Sequence, residues 1–72
     1  MEVRLYATLR ANRGKTVQVD WFEGMDGYAL LAAIDIAPGD VSIFLINGFH
    51  SKPDATLAAD DVIALFPPVG GG

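Results

Sequence analysis

The run Val62-Ile63-Ala64-Leu65-Phe66 is apolar on both faces of an extended strand, and Pro67-Pro68 stops it, since neither proline has an amide hydrogen to continue a ladder. Ile63 and Leu65 point one way; Val62, Ala64 and Phe66 point the other. The fold has to bury one of these faces and decide what meets the other. It has few residues for this: 72 in all, below the usual domain size of roughly 100–150. With 51% hydrophobic and 19% charged residues, the chain can build one modest core and is too apolar for a disordered segment. The absence of cysteine removes disulfides, thiolate metal sites and a thiol nucleophile, which favours an intracellular, cytoplasmic address. The longest apolar stretch, residues 28–34, is far short of the roughly 20 residues that span a bilayer, and the start MEVRLYATLR lacks a signal-peptide core.

The remaining pattern predicts the partners of that strand. Val3, Leu5, Ala7 and Leu9 alternate with Arg4, Tyr6, Thr8 and Arg10, which predicts a half-buried strand over 3–10. Asn12 and Gly14 mark a turn over 11–15, and Val17, Val19 and Trp21 alternate with Gln18, Asp20 and Phe22 as the second strand of a hairpin. Asp26 is placed to cap a helix that starts near Gly27 and runs through 28–34, with Pro38-Gly39 beyond it as the stop. A strand over 42–46, a tight turn at Asn47-Gly48, a short strand over 49–51 and a turn at Pro53-Asp54 complete the order β, β, α, β, short β, β. This is an α+β chain, a mixed sheet with one main helix packed on one face. If the helix covers Ile63, Leu65, Val3, Leu5 and Leu9, then Phe66 and Tyr6 fall on the open face as an apolar patch that predicts a protein partner.

A net charge of −4 argues against nucleic acid. Residues 1–15 carry four bases against Glu2, a net of +3, whereas residues 16–72 carry eight acids against Lys52, a net of −7. His50 is the single histidine and has no second ligand motif, so no metal site is expected. Asp60-Asp61 read as solvated turn residues, and Trp21 and Phe22 as packing at the end of the hairpin.

Three of the eight glycines end the sequence as Gly70, Gly71 and Gly72, directly after Pro67-Pro68-Val69. Glycine loses the most backbone entropy on ordering, so the expectation is a domain over 1–66 and a flexible tail over 67–72. Six residues at roughly 3.3 Å each reach about 20 Å, and a Gly-Gly end passes a tunnel too narrow for a Cβ. The terminal carboxylate is a poor electrophile until it is converted to a mixed anhydride, for example with AMP from ATP. The chain has no glycine-rich loop opening a helix with which to cradle ATP, so it is expected to be the substrate of another enzyme.

The element order, Asn47-Gly48, the L-x-x-D-D-V pattern from Leu57 to Val62 and the ending FPPVGGG together resemble the MoaD/ThiS family of ubiquitin-like sulfur carriers over essentially the whole chain. The Phe-Pro-Pro-Val run is most similar to the small subunit of molybdopterin synthase. The resemblance implies a ubiquitin-like β-grasp fold and a mechanism in which Gly72 is adenylated by an ATP-dependent, ubiquitin-activating-type adenylyltransferase. A sulfurtransferase or cysteine desulfurase then supplies sulfur, Gly72 becomes a thiocarboxylate, and the sulfur passes to the cofactor dithiolene in the large subunit of molybdopterin synthase, in molybdenum or tungsten cofactor biosynthesis. No cofactor is expected on the chain itself, since ATP is used by the partner. Gly70 and Gly71 carry over as the tail; Tyr6, His50, Phe66, Pro67, Pro68 and Val69 are the partner-binding candidates, with His50 standing where that branch keeps an apolar interface residue. A thiamine-type or other sulfur carrier and a ubiquitin-like covalent protein modifier are equally compatible with a Gly-Gly end. The acidic excess suggests an activating enzyme with basic residues around its tunnel mouth.

Overall fold

The computed structural model describes residues 1–68. Five strands, β1 (Glu2–Leu5), β2 (Thr16–Gln18), β3 (Ile43–Ile46), β4 (Phe49–His50) and β5 (Val62–Phe66), form one mixed sheet in the order β2-β1-β5-β3-β4, with one helix, α1 (Gly27–Ala33). The strand that is apolar on both faces takes the centre. β5 runs parallel to β1, with Leu5 opposite Leu65, and antiparallel to β3, with Phe44 opposite Leu65. β2 and β4 close the two edges as antiparallel partners of β1 and β3. Val3, Leu5, Ile63 and Leu65 from the sheet, Leu30 and Leu31 from α1, and Met25 from the loop before it are wholly buried, with Phe44 and Leu57 nearly so. This is the mixed sheet with one covered face that the pattern predicts.

The first strand is shorter than its alternation suggests. It ends at Leu5, Ala7 takes a left-handed φ of 53°, and Ala7–Arg10 coils as a 3-10 segment. The reason lies in the neighbour. The Tyr6 amide donates to the Leu65 carbonyl at 3.2 Å, the Phe66 carbonyl is taken by the Ser42 amide at 2.8 Å, and Pro67 and Pro68 offer no N–H. An extended strand past Tyr6 would leave its backbone groups unpaired on that side, so the chain turns. Leu9 is buried all the same, carried inward by the coil. The second strand likewise stops at Gln18, beyond which the Val19 amide donates to the Met1 carbonyl at 3.0 Å.

α1 begins where Asp26 predicts it. The Asp26 side chain accepts from the Ala29 amide at 2.9 Å, closing one of the orphan donors of the first turn. It ends earlier than Pro38, at Ala33, because Asp35 adopts φ 58°, and Pro38–Asp40 forms a separate 3-10 turn. Arg13 closes this end from outside the helix. Its Nη2 donates to the Asp35 carbonyl at 3.0 Å and its Nε to the Ile34 carbonyl at 3.3 Å, satisfying carbonyls that have no partner within the helix.

Candidate docking face and tail root

The parallel register of β1 and β5 sets the open face. With Leu5 opposite Leu65 on the covered side, Tyr6 and Phe66 fall side by side on the other, and their rings stack with centroids 4.2 Å apart and planes 8° from parallel. The Arg10 guanidinium lies over Tyr6, 5.3 Å from the ring centroid, and its Nε donates to the Leu5 carbonyl at 2.7 Å. Arg10, Tyr6 and Phe66 thus form a three-layer stack immediately before Pro67. Sequence reasoning places Tyr6 and Phe66 together and misses Arg10. The signal for Arg10, a cation four residues after an aromatic, is readable only once residues 7–10 coil instead of running straight.

Beside the stack is a depression of about 420 Å³ lined by Arg4, Tyr6, Leu45, Asn47, Val62 and Phe66. Arg4 pairs with Glu2 at its rim, and the Glu2 carboxylate, through its hydrogen bond and then its charge, raises the Arg4 pKa. His50 is exposed and lies opposite Leu45 in the β3–β4 pairing, which puts both side chains on this face. Phe49, 76% exposed, pairs with Ile46 and so lies on the opposite side of the sheet from His50. Among the described residues, no polar or charged side chain is buried, and no three His, Asp or Glu gather as a metal site.

Pro67 and Pro68 leave the sheet after β5 and line a second hollow of about 380 Å³ together with Thr8, Leu9, Arg13 and Ile36. Val69, Gly70, Gly71 and Gly72 lie outside the described residues. Trp21 packs against the core and donates its Nε1 to the Leu57 carbonyl at 2.9 Å, whereas Phe22 is 54% exposed. Asp61 departs from the expectation of a solvated turn residue: its carboxylate accepts from Asn47 Nδ2 at 2.9 Å and from the Ala58 amide at 2.8 Å. No helix in the described residues is long and apolar enough to cross a membrane.

The ThiS family model matches residues 3–72, which takes in the sheet except for Glu2, and the Gly-rich end. No curated protein matches the chain at a significant level. Two solved structures resemble it over nearly their full length. The crystal structure of SAMP1 from Haloferax volcanii is 31% identical with a TM-score of 0.73, covering 99% of this chain and 97% of that one. A crystal structure of small archaeal modifier protein 1 from H. volcanii is 30% identical with a TM-score of 0.72, covering 94% and 95%. A mixed sheet with a central two-faced strand, one covering helix and an aromatic open face at the root of a glycine-rich end is therefore the ubiquitin-like β-grasp, and the chain belongs to the ThiS family of ubiquitin-like sulfur carriers.

Proposed function

We propose that this protein carries sulfur on the Gly72 carboxylate for molybdopterin biosynthesis. The carboxylate attacks ATP on an activating enzyme, giving an acyl-adenylate and releasing pyrophosphate. The outer sulfur of a persulfide on a sulfurtransferase or cysteine desulfurase then displaces AMP to give an acyl disulfide, a second thiol on that side cleaves the S–S bond and is left as a disulfide, and the terminal thiocarboxylate so released donates its sulfur in the large subunit of molybdopterin synthase. The observation that carries this reading is the family match through residue 72, which includes the FPPVGGG end. In the same reading, residues 1–66 are the docking domain and 67–72 the tail that is delivered to the enzymes; Tyr6, His50, Phe66, Pro67, Pro68 and Val69 meet the partners, and Gly70 and Gly71 thread the tunnel.

A second reading has a specific observation behind it. One of the similar structures is named as a small archaeal modifier protein, and in this second reading the activated Gly72 passes instead to a lysine amine, forming an isopeptide bond with loss of AMP. One experiment separates the two. Incubation with the host activating enzyme, ATP and a sulfur source, followed by intact-mass measurement, gives an oxygen-to-sulfur exchange on this chain for the carrier and ligated lysines on other proteins for the modifier. Deleting Gly71 and Gly72 is expected to leave the melting temperature unchanged and to abolish ATP-dependent activation; a truncated chain that accepts sulfur at an equal rate sinks the proposal.

A further inference from the structure

Asn47 and Gly48 form the two-residue turn between β3 and β4, both exposed, at φ 52° and 85°. An asparagine followed by glycine is open to an internal reaction, because no side chain on the glycine shields its nitrogen from the asparagine amide. In that reaction the Gly48 nitrogen loses its proton and bonds to Asn47 Cγ, the Cγ–Nδ2 bond breaks, and ammonia leaves. Water then opens the cyclic imide to aspartate or isoaspartate. The balance needs water and nothing else.

Here the side chain is tied down. Asn47 Nδ2 donates to Asp61 Oδ1 at 2.9 Å, Asn47 Oδ1 accepts from the Val62 amide at 2.9 Å, and the second Asp61 oxygen accepts from the Ala58 amide at 2.8 Å. The Asn47 amide also donates to the Val62 carbonyl at 2.8 Å, so the turn is stitched to the start of β5 by both backbone and side chain. Ring closure onto Gly48 requires both side-chain bonds to break first. We propose that Asn47 is a deamidation site gated by Asp61, protected while the clamp holds and converted once it opens. The product puts a carboxylate where an amide donated to Asp61. Two acids then face each other, and the side-chain bond from residue 47 to Asp61 is lost. Asn47 borders the depression that contains Arg4, Tyr6 and Phe66, so the new charge appears on the open face. Its effect on docking rests on the reading of that face given above; the modification does not.

The test is an incubation of the full chain at mildly alkaline pH, read by intact mass and by mapping the peptide that contains residues 47 and 48. Wild type is compared with Asp61→Ala and with Leu65→Ala, which loosens the core without touching the clamp, at a temperature where circular dichroism shows all three folded. Asp61→Ala is expected to convert about fivefold faster or more, the change that one net hydrogen bond makes in an opening equilibrium, with Leu65→Ala close to wild type. Equal rates in wild type and Asp61→Ala, or no conversion in either, overturns the gate. Acceleration in Leu65→Ala matching that in Asp61→Ala also overturns it, because the reaction would then follow global opening. Asn47→Asp, the product made directly, is expected to melt below wild type, and a melting point at or above wild type contradicts the loss of the clamp.

Discussion

Leu65 and Phe66 are neighbours with opposite duties. Leu65 is fully buried between β1, β3 and α1, whereas Phe66 is half-exposed and stacked on Tyr6. Truncating Leu65 to alanine is expected to cost roughly 2–4 kcal/mol in urea or thermal unfolding, and Phe66→Ala to cost less stability and more affinity for the activating enzyme. The reverse ranking in paired melting and binding measurements contradicts the assignment of faces. Gly27 shows a different constraint at the same scale. A Cβ there would sit 2.5 Å from the Pro53 carbonyl oxygen, 2.8 Å from Pro53 Cα and 2.9 Å from Phe44 Cζ. Two of those atoms are backbone in a segment that the Tyr28 amide holds through the Pro53 carbonyl at 3.0 Å, so little can move aside. Alanine favours a helix by about 1 kcal/mol over glycine, but overpacking costs typically 1–3 kcal/mol, and against rigid backbone the clash wins. Gly27→Ala is expected to lower the urea midpoint; a rise would mean that the 53–55 turn yields.

At the scale of elements, α1 is too short to stand alone. An isolated helix below roughly 12–15 residues is marginal in water, and α1 has 7, so packing through Leu30 and Leu31 and its two ends must hold it. Both ends are closed by side chains, Asp26 at the first turn and Arg13 at the last. Asp26→Ala is expected to cost about 1 kcal/mol through the lost cap, and Arg13→Ala a similar amount through the freed carbonyls of Ile34 and Asp35. The two act on opposite ends and share no partner, so their effects are expected to add in chemical denaturation. Strong non-additivity would show that the 7–15 connection and α1 open as one unit.

At the scale of the whole molecule, folding moves the charges of the sequence into space. β1 and β5 run parallel, so everything that follows their last residues meets at one end. Arg10 reaches back to the Leu5 carbonyl, Lys15 accepts from the Leu5 amide through its carbonyl, and Arg13 lines the hollow beside Pro67 and Pro68. Asp35 and Asp40 are also at this end. Glu2, Asp20, Asp60 and Asp61 lie at the other end, where β1 and β5 begin. Three bases and two acids thus stand near Pro67 and Pro68, so the acidic excess of residues 16–72 is not concentrated there, and under the proposed function an activating enzyme is expected to meet arginine and lysine at the point of entry. Charges nearest the point of entry dominate steering within a Debye length of about 8 Å at physiological salt. Lys15→Glu is expected to slow association in stopped-flow while leaving dissociation nearly unchanged, and Asp60→Lys to leave both within about twofold. A larger effect from Asp60→Lys restores the basic mouth.

The strand Val62–Phe66, its division into a buried and an open face, the Asp26 cap, the Asn47-Gly48 turn and the pairing of Tyr6 with Phe66 were all legible in the residues, because each depends on period, on turn chemistry or on a proline's missing donor. Local chemistry of that kind is written wherever the residue is written. What the tertiary structure alone decided is how far each strand runs and which distant groups meet. The alternation of 3–10 continues past Leu5, but a strand extends only as far as its neighbour offers donors and acceptors, and Ser42 and the two prolines use up what β5 has. The Arg10 stack, the Arg13 closure of α1 and the Asn47–Asp61 clamp join residues 4 to 22 positions apart through contacts that no local pattern encodes. The sheet pairings supply two of these meetings, since β1 beside β5 sets Tyr6 against Phe66 and β3 beside β5 sets Asn47 against Asp61, and such pairing is a property of the folded sheet.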